Sequence, residues 1–238
     1  MQPKTSFLVL SAISAASAQS ADPTGCNEVQ IFIAVGHGET FPGGQQSIAE
    51  QVCAGRSSCA YSNIDYPATA GGDYCQIATD AINTAVSDIT DYVAGCPDAK
   101  IVLSGWSQGG WIVTDIISGG GGPGGGVAAG CTQADTAPLD PTTSPGSNVV
   151  AVAVYGDPRH TGGQTFNEGT AAATDGVWPR EGDQLAAQQL WADKLRSYCA
   201  AGDPACANGQ DWNAHGSYFG DYASTPAAWI NSVIDGSA

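Results

Sequence analysis

The chain has 238 residues, with 23 Asp and Glu against 7 Lys and Arg and a formal net charge of −16. Such a surface repels polyanions, which excludes nucleic acid and anionic membranes as partners. Eight cysteines without a CxxC pair, and only three histidines, exclude a zinc site; the even cysteine count reads instead as four disulfides made in an oxidising compartment.

In chain order, the first residues read as an address label. Lys4 supplies a positive start, residues 7–15 an apolar stretch and Ala16-Ser17-Ala18 a cleavage site, so residues 1–18 are expected to be a signal peptide and the protein to be secreted. The apolar stretch is too short for a bilayer of about 30 Å, and no later segment offers the ~20 apolar residues a span needs. Residues 19–238 suit one α/β domain, expected to be a monomer; no linker or internal repeat marks a second, carbohydrate-binding module.

Four apolar runs, residues 29–35, 60–66, 101–103 and 149–155, are β-branched and nearly continuous, as buried strands of a parallel sheet are. Ala78, Ala81, Ile82, Ala85, Val86, Ile89 and Val93 recur at helical spacing; Asp73 caps the start of this helix, and Gly95 and Pro97 end it. Further helices are expected over residues 108–118 and 226–235, the last with Thr225 as N-cap. Residues 119–126, almost all glycine, and 135–148, rich in Pro, Ser and Thr, read as a long surface loop. The fold class is therefore α/β, a lidless three-layer sandwich around a mostly parallel sheet of about five strands.

Between the third strand and the helix after it stands Gly105-Trp106-Ser107-Gln108-Gly109, a G-x-S-x-G pattern in the strand–turn–helix setting it needs. The turn presents Ser107 at a helix N-terminus, where free N–H groups stabilise negative charge. A serine hydroxyl needs a base to take its proton and an acid to orient that base. His37 precedes Ser107, against the nucleophile, acid, base order of α/β-hydrolases, and His160 directly follows a strand as a structural loop residue would. His215 is the expected base. For the acid, Asp203, bracketed by Cys199 and Cys206, competes with Asp157, Asp211 and Asp221.

At this point the sequence resembles the fungal acetylxylan esterases and cutinases of carbohydrate esterase family five, from Cys26 to the C-terminal helix. GWSQGG at 105–110 resembles the family's G-[YH]-S-Q-G-G, with Trp106 in place of Tyr or His. Gly202-Asp203-Pro204-Ala205-Cys206 resembles its disulfide-bracketed acid motif, and His215 stands where its base lies. Gly36-His37-Gly38-Glu39-Thr40 resembles the segment G-A-R-E-T, with Gly38 in place of arginine. The resemblance implies Ser107, Asp203 and His215 as catalytic residues, with Thr40 and the N–H of Gln108 as the oxyanion hole. It also implies disulfides Cys26–Cys96 and Cys199–Cys206. The other four cysteines allow three pairings, of which Cys53–Cys59 with Cys75–Cys131 is favoured. No metal or organic cofactor is implied.

The residues around His215, from Asp211 to Tyr218, are polar and aromatic rather than aliphatic, which favours sugar rings over long acyl chains. The expected activity is hydrolysis of acetyl esters on a plant polysaccharide, most simply acetylxylan, with Trp106, Trp212 and Tyr218 as substrate contacts and Trp111 a core residue. A cutinase or short-chain lipid esterase is the alternative. Because the base must be neutral, kcat/KM is expected to fall on the acid side.

Overall fold

A computed structural model describes residues 25–69, 71–220 and 223–237, so the expected signal peptide lies outside the described residues. In chain order the strands are β1 (Val29–Ala34), β2 (Cys59–Asn63), β3 (Lys100–Trp106), β4 (Gly122–Pro123), β5 (Thr132–Gln133), β6 (Val149–Tyr155), β7 (Asn167–Glu168) and β8 (Leu195–Tyr198). The α-helices are α1 (Gln46–Cys53), α2 (Tyr74–Gly95), α3 (Gln108–Ser118), α4 (Gly182–Gln189), α5 (Trp212–Gly216) and α6 (Ser224–Ile234).

Six of the strands form one parallel sheet in the order β2-β1-β3-β6-β8-β7, one strand more than expected. Beyond the four runs named in sequence stand β8, of four residues, and β7, an edge strand of two, both too short to show a period. Every residue of β1 is buried, because helices cover the sheet on both sides and leave no wet face for an alternating pattern. Ala78, Ala81, Ile82, Ala85 and Ile89 of α2 pack with Ile112 and Ile116 of α3 against Phe32, Leu103 and Val152. On the opposite face, Ile48 and Val52 of α1 and Ile230 and Ile234 of α6 meet Ile31, Ile33, Val102 and Ala153.

Helix α2 starts where Asp73 Oδ1 accepts the N–H groups of Cys75 and Gln76 at 3.0 and 3.1 Å, a cap worth about 1 kcal/mol. Its end is tied to the approach to β1 by Cys26–Cys96, which closes a loop of 70 residues and on chain-entropy grounds stabilises the fold by about 4 kcal/mol. The other disulfides are Cys53–Cys59, Cys75–Cys131 and Cys199–Cys206. Helix α6 corrects the sequence reading: it begins at Ser224 with Ala223 as N-cap and no side-chain cap bond, so Thr225 lies inside the helix and Pro226 is its third residue. Helices α1, α4 and α5 were not foreseen: each has eight residues or fewer, about two turns, too short for its period to stand out in sequence.

The glycine-rich segment also departs from expectation. Gly119, Gly120 and Gly121 are buried, because the chain here crosses a cluster of charged side chains. Asp115 Oδ1 takes Arg159 Nη1 at 3.0 Å and Arg180 Nη2 at 2.5 Å, while its Oδ2 takes Trp111 Nε1 and Gln133 Nε2, each at 2.8 Å. A Cβ on Gly120 would stand 2.5 Å from Gln133 Nε2 and 2.7 Å from Asp115 Oδ2, so only a bare backbone fits over the cluster.

From β1 the chain runs outward to β2, then returns to β3 on the other side of β1. The loops leaving β1 and β3 therefore diverge, and the crevice they open at the strands' C-terminal ends is where open α/β sheets bind ligands.

Candidate active site

Ser107 occupies the single residue between β3 and α3, with φ 54° and ψ −117°, a conformation that a non-glycine residue adopts only under constraint. The flanking glycines leave room for that turn. A Cβ on Gly105 would meet the Gly109 carbonyl oxygen at 2.3 Å, and one on Gly109 the Ala34 carbonyl oxygen at 2.0 Å, so any side chain there would force the turn open. The Ser107 N–H donates to Tyr155 O at 2.9 Å. Its hydroxyl meets His215 Nε2 at 2.9 Å.

His215 stands on α5, whose N-cap Asp211 accepts the Asn213 N–H at 2.9 Å. On its far side, His215 Nδ1 meets Asp203 Oδ2 at 2.9 Å and Oδ1 at 3.0 Å. Asp203 is fully buried, within the loop that Cys199–Cys206 closes, and its Oδ1 accepts the N–H groups of Ala205 at 2.7 Å and Cys206 at 3.1 Å. Burial works against a charge on Asp203, but the donors from His215, Tyr218 and Ala205 outweigh it and hold its pKa below the ordinary carboxylate value. The chain thus brings a hydroxyl, an imidazole and a carboxylate into one hydrogen-bonded line.

The rival acids are employed elsewhere. Asp157 accepts Thr114 Oγ1 at 2.9 Å and Arg180 Nη1 at 3.3 Å, inside the charged cluster, while Asp211 caps α5. Asp221 lies outside the described residues. His160 is buried with Nδ1 at 2.8 Å from Ser197 Oγ, and His37 is exposed at the cleft rim, its ring 5.5 Å from that of Tyr74.

The cleft at Ser107 has a volume of about 480 Å³; its lining includes the aromatic Tyr74, Trp106 and Trp212 and the aliphatic Pro158, Val177, Pro204 and Ala205. Trp212 is 67% exposed at the rim, its ring 5.6 Å from that of His215. Trp106 is half-buried, lies 5.2 Å from the imidazole and donates its indole N–H to His215 O at 2.9 Å. Trp111 is a core residue whose edge reaches the cleft. Tyr218 is no substrate contact: it is buried, with its hydroxyl 2.5 Å from Asp203 Oδ2, because the helical turn after His215 swings it behind the carboxylate.

Gln108 begins α3, so its N–H has no partner within the helix, and the residue lines the cleft beside Ser107. Thr40 lies exposed in the loop after β1, where its carbonyl accepts the Gly43 N–H at 2.9 Å. The loop is shaped by Glu39, whose carboxylate accepts the N–H groups of Gly36 and Gly44, each at 3.1 Å. Two glycines support the site, of which Gly156 was not singled out in sequence. Gly156, with φ +56°, backs the imidazole, and Gly36 makes room for the Trp106 ring, which a Cβ would meet at 2.2 Å. Asp73, Cys75 and Cys131 also come together, but both thiols are spent in a disulfide and form no metal ligand set.

An acetylxylan esterase from Hypocrea jecorina is 32% identical over 79% of the chain and 56% of its own length, so the chain spans little more than half of that relative. A protein named cutinase 11 from Verticillium dahliae is 29% identical over 98% of the chain and 78% of its own length. The catalytic core domain of the Trichoderma reesei acetyl xylan esterase superposes with a TM-score of 0.73 at 29% identity, covering 87% of this chain and 99% of that one. The model of the cutinase family matches residues 25–234, and the chain belongs to that family.

Proposed function

We propose that the protein is a secreted serine esterase that removes acetyl groups from plant cell-wall polysaccharide, acetylxylan being the substrate best supported. The observation that carries this is the line Ser107 Oγ, His215 Nε2, His215 Nδ1, Asp203 Oδ2, each contact 2.9 Å, in a cleft whose lining includes Tyr74, Trp106 and Trp212. The named activities of the Hypocrea and Trichoderma relatives support the same reading.

In this mechanism, Ser107 attacks the ester carbonyl while His215 takes its proton, and Asp203 holds the imidazole in the tautomer whose Nε2 accepts. The oxyanion is held by the N–H of Gln108 and by Thr40, in the loop shaped by Glu39; one such donor typically contributes about 10²- to 10³-fold in kcat. His215 returns its proton to the departing sugar hydroxyl, then activates water to release acetate. The rings of Trp106 and Trp212 offer stacking faces to the sugar at the cleft rim. Four disulfides, and described residues with no helix long and apolar enough to cross a membrane, are consistent with work outside the cell.

Acetate release from acetylated xylan by wild type and Ser107→Ala tests the reading: wild type is active and the variant loses essentially all turnover. Retention of activity by Ser107→Ala would overturn it. The cutinase alternative is favoured by one observation, the presence of Pro158, Val177, Pro204 and Ala205 in the lining of the cleft. p-Nitrophenyl esters from acetate to palmitate separate the two: acetate is preferred if the reading holds, and a maximum at butyrate or beyond assigns the protein to longer acyl chains.

A further inference from the structure

We infer that Tyr218 is a fourth, positioning member of the hydrogen-bonded line, donating to the carboxylate of Asp203 and so setting how strongly that carboxylate draws a proton onto His215.

The Tyr218 hydroxyl is 2.5 Å from Asp203 Oδ2, within the short range of charge-assisted O–H···O⁻ bonds. Its direction is fixed by a second contact: the Ala200 N–H donates to the same hydroxyl at 3.1 Å, which leaves the phenolic proton for Asp203. Burial first, and the charge of Asp203 second, raise the pKa of Tyr218 far above the ordinary phenol value, so this donor keeps its proton at any working pH. Asp203 then has a donor in every direction: Ala205 and Cys206 N–H on Oδ1, Tyr218 on Oδ2, and His215 Nδ1 across both. The phenol is in turn clamped by the disulfide loop, with Cys206 Sγ at 3.4 Å.

Two consequences follow for the imidazole. The carboxylate cannot rotate away from Nδ1, which keeps the His215 ring aimed at Ser107. A proton donor on Oδ2 also draws negative charge off the carboxylate, so it stabilises an imidazolium less than a bare one would.

The inference rests on the proposed serine-esterase reading, and the Ser107→Ala result tests that reading separately. Tyr218→Phe keeps the ring and removes the donor to Asp203, together with the acceptor of the Ala200 N–H. On this inference its kcat falls about 10-fold or more with KM little changed, as expected for loss of a hydrogen bond to a charged group. The acid limb of kcat/KM also moves to higher pH, because the imidazolium then faces an uncompensated carboxylate. Tyr218→3-fluorotyrosine, a stronger donor of nearly the same shape, moves the limb the opposite way and covers the case in which the phenylalanine variant fails to fold.

Besides His215 and Tyr218, His160 lies within electrostatic reach of Asp203 and itself faces Asp157 and Asp175, and Asp211 is tied to the Asp203 loop by its N–H to Gly202 O at 2.8 Å. The profiles are therefore repeated in a His160→Asn background. Opposite shifts that persist there support the inference. An acid limb unmoved by either tyrosine variant, or a shift lost with His160, would overturn it, even where Ser107→Ala is inactive and the esterase reading stands.

Discussion

Gly156 lies directly against the imidazole of His215: a Cβ at this position would come within 2.9 Å of both Cε1 and Nδ1 and within 3.0 Å of Asp203 Oδ2. The residue follows β6 with φ +56°, so glycine is required twice, by backbone conformation and by the space the ring occupies. Gly156→Ala is expected to displace the imidazole from Ser107 while the sheet beneath it persists. Since a misplacement near 1 Å can cost about 10²-fold, kcat/KM should fall by that order. Steady-state kinetics normalised to the fraction of serine labelled by an organophosphate checks this, and wild-type kinetics in the variant would refute it.

Trp106 holds His215 through a separate contact, the 2.9 Å bond from its indole N–H to the His215 carbonyl. Trp106→Phe keeps an aromatic ring in the cleft and deletes that bond, whose net value of about 0.5–1.5 kcal/mol corresponds to at most about a tenfold loss. The loss is expected in kcat. A change confined to KM on acetylated xylan would instead mean that Trp106 acts chiefly by touching the sugar.

The sequence carried the chemistry better than the supports around it. Ser107 was legible because its turn needs glycine at fixed offsets between a strand and a helix, and His215 because the small number of histidines left few candidates, whereas Asp203 stayed one of four acids until the family resemblance singled it out. Tyr218 was misjudged: a tyrosine three residues past the base looks the same whether it faces sugar or carboxylate, and only the helical turn decides. The 119–126 segment read as surface because glycine is usually exposed; here it is glycine because Asp115 and Gln133 lie directly beneath. Nor could β7 and β8 be read, being short strands whose pairing is decided by distant neighbours rather than by their own pattern.

The charged cluster behind the cleft predicts a stability effect. Asp115 is fully buried and takes four donors, from Arg159, Arg180, Trp111 and Gln133. Asp115→Ala leaves two guanidiniums facing one carboxylate, Asp157, and breaking a buried pair by removing one partner typically costs about 3–5 kcal/mol. Urea unfolding with disulfides intact should show a loss of that size at pH 7. A loss under 1 kcal/mol would mean that water enters the cluster and solvates the stranded charges.

Stability should also depend on pH through His160. Burial lowers its pKa from 6.5, against a partial counter-pull from Asp157 and Asp175, so the folded chain resists a proton that the unfolded chain accepts. The sign follows from linkage. Above about pH 6.5 both states hold His160 neutral and its contribution is whole; as pH falls below that value the unfolded state binds more protons, and stability declines toward the lowered folded pKa. Asp203, also lowered in the folded protein, has the same sign in a separate window beneath the ordinary carboxylate value near pH 4. His160→Asn retains a polar partner for Ser197 and cannot titrate. Urea midpoints from pH 7 to 3 should therefore lose the upper decline in this variant and keep the lower one; an unchanged slope between pH 6.5 and 5 would show that His160 takes up protons equally in both states.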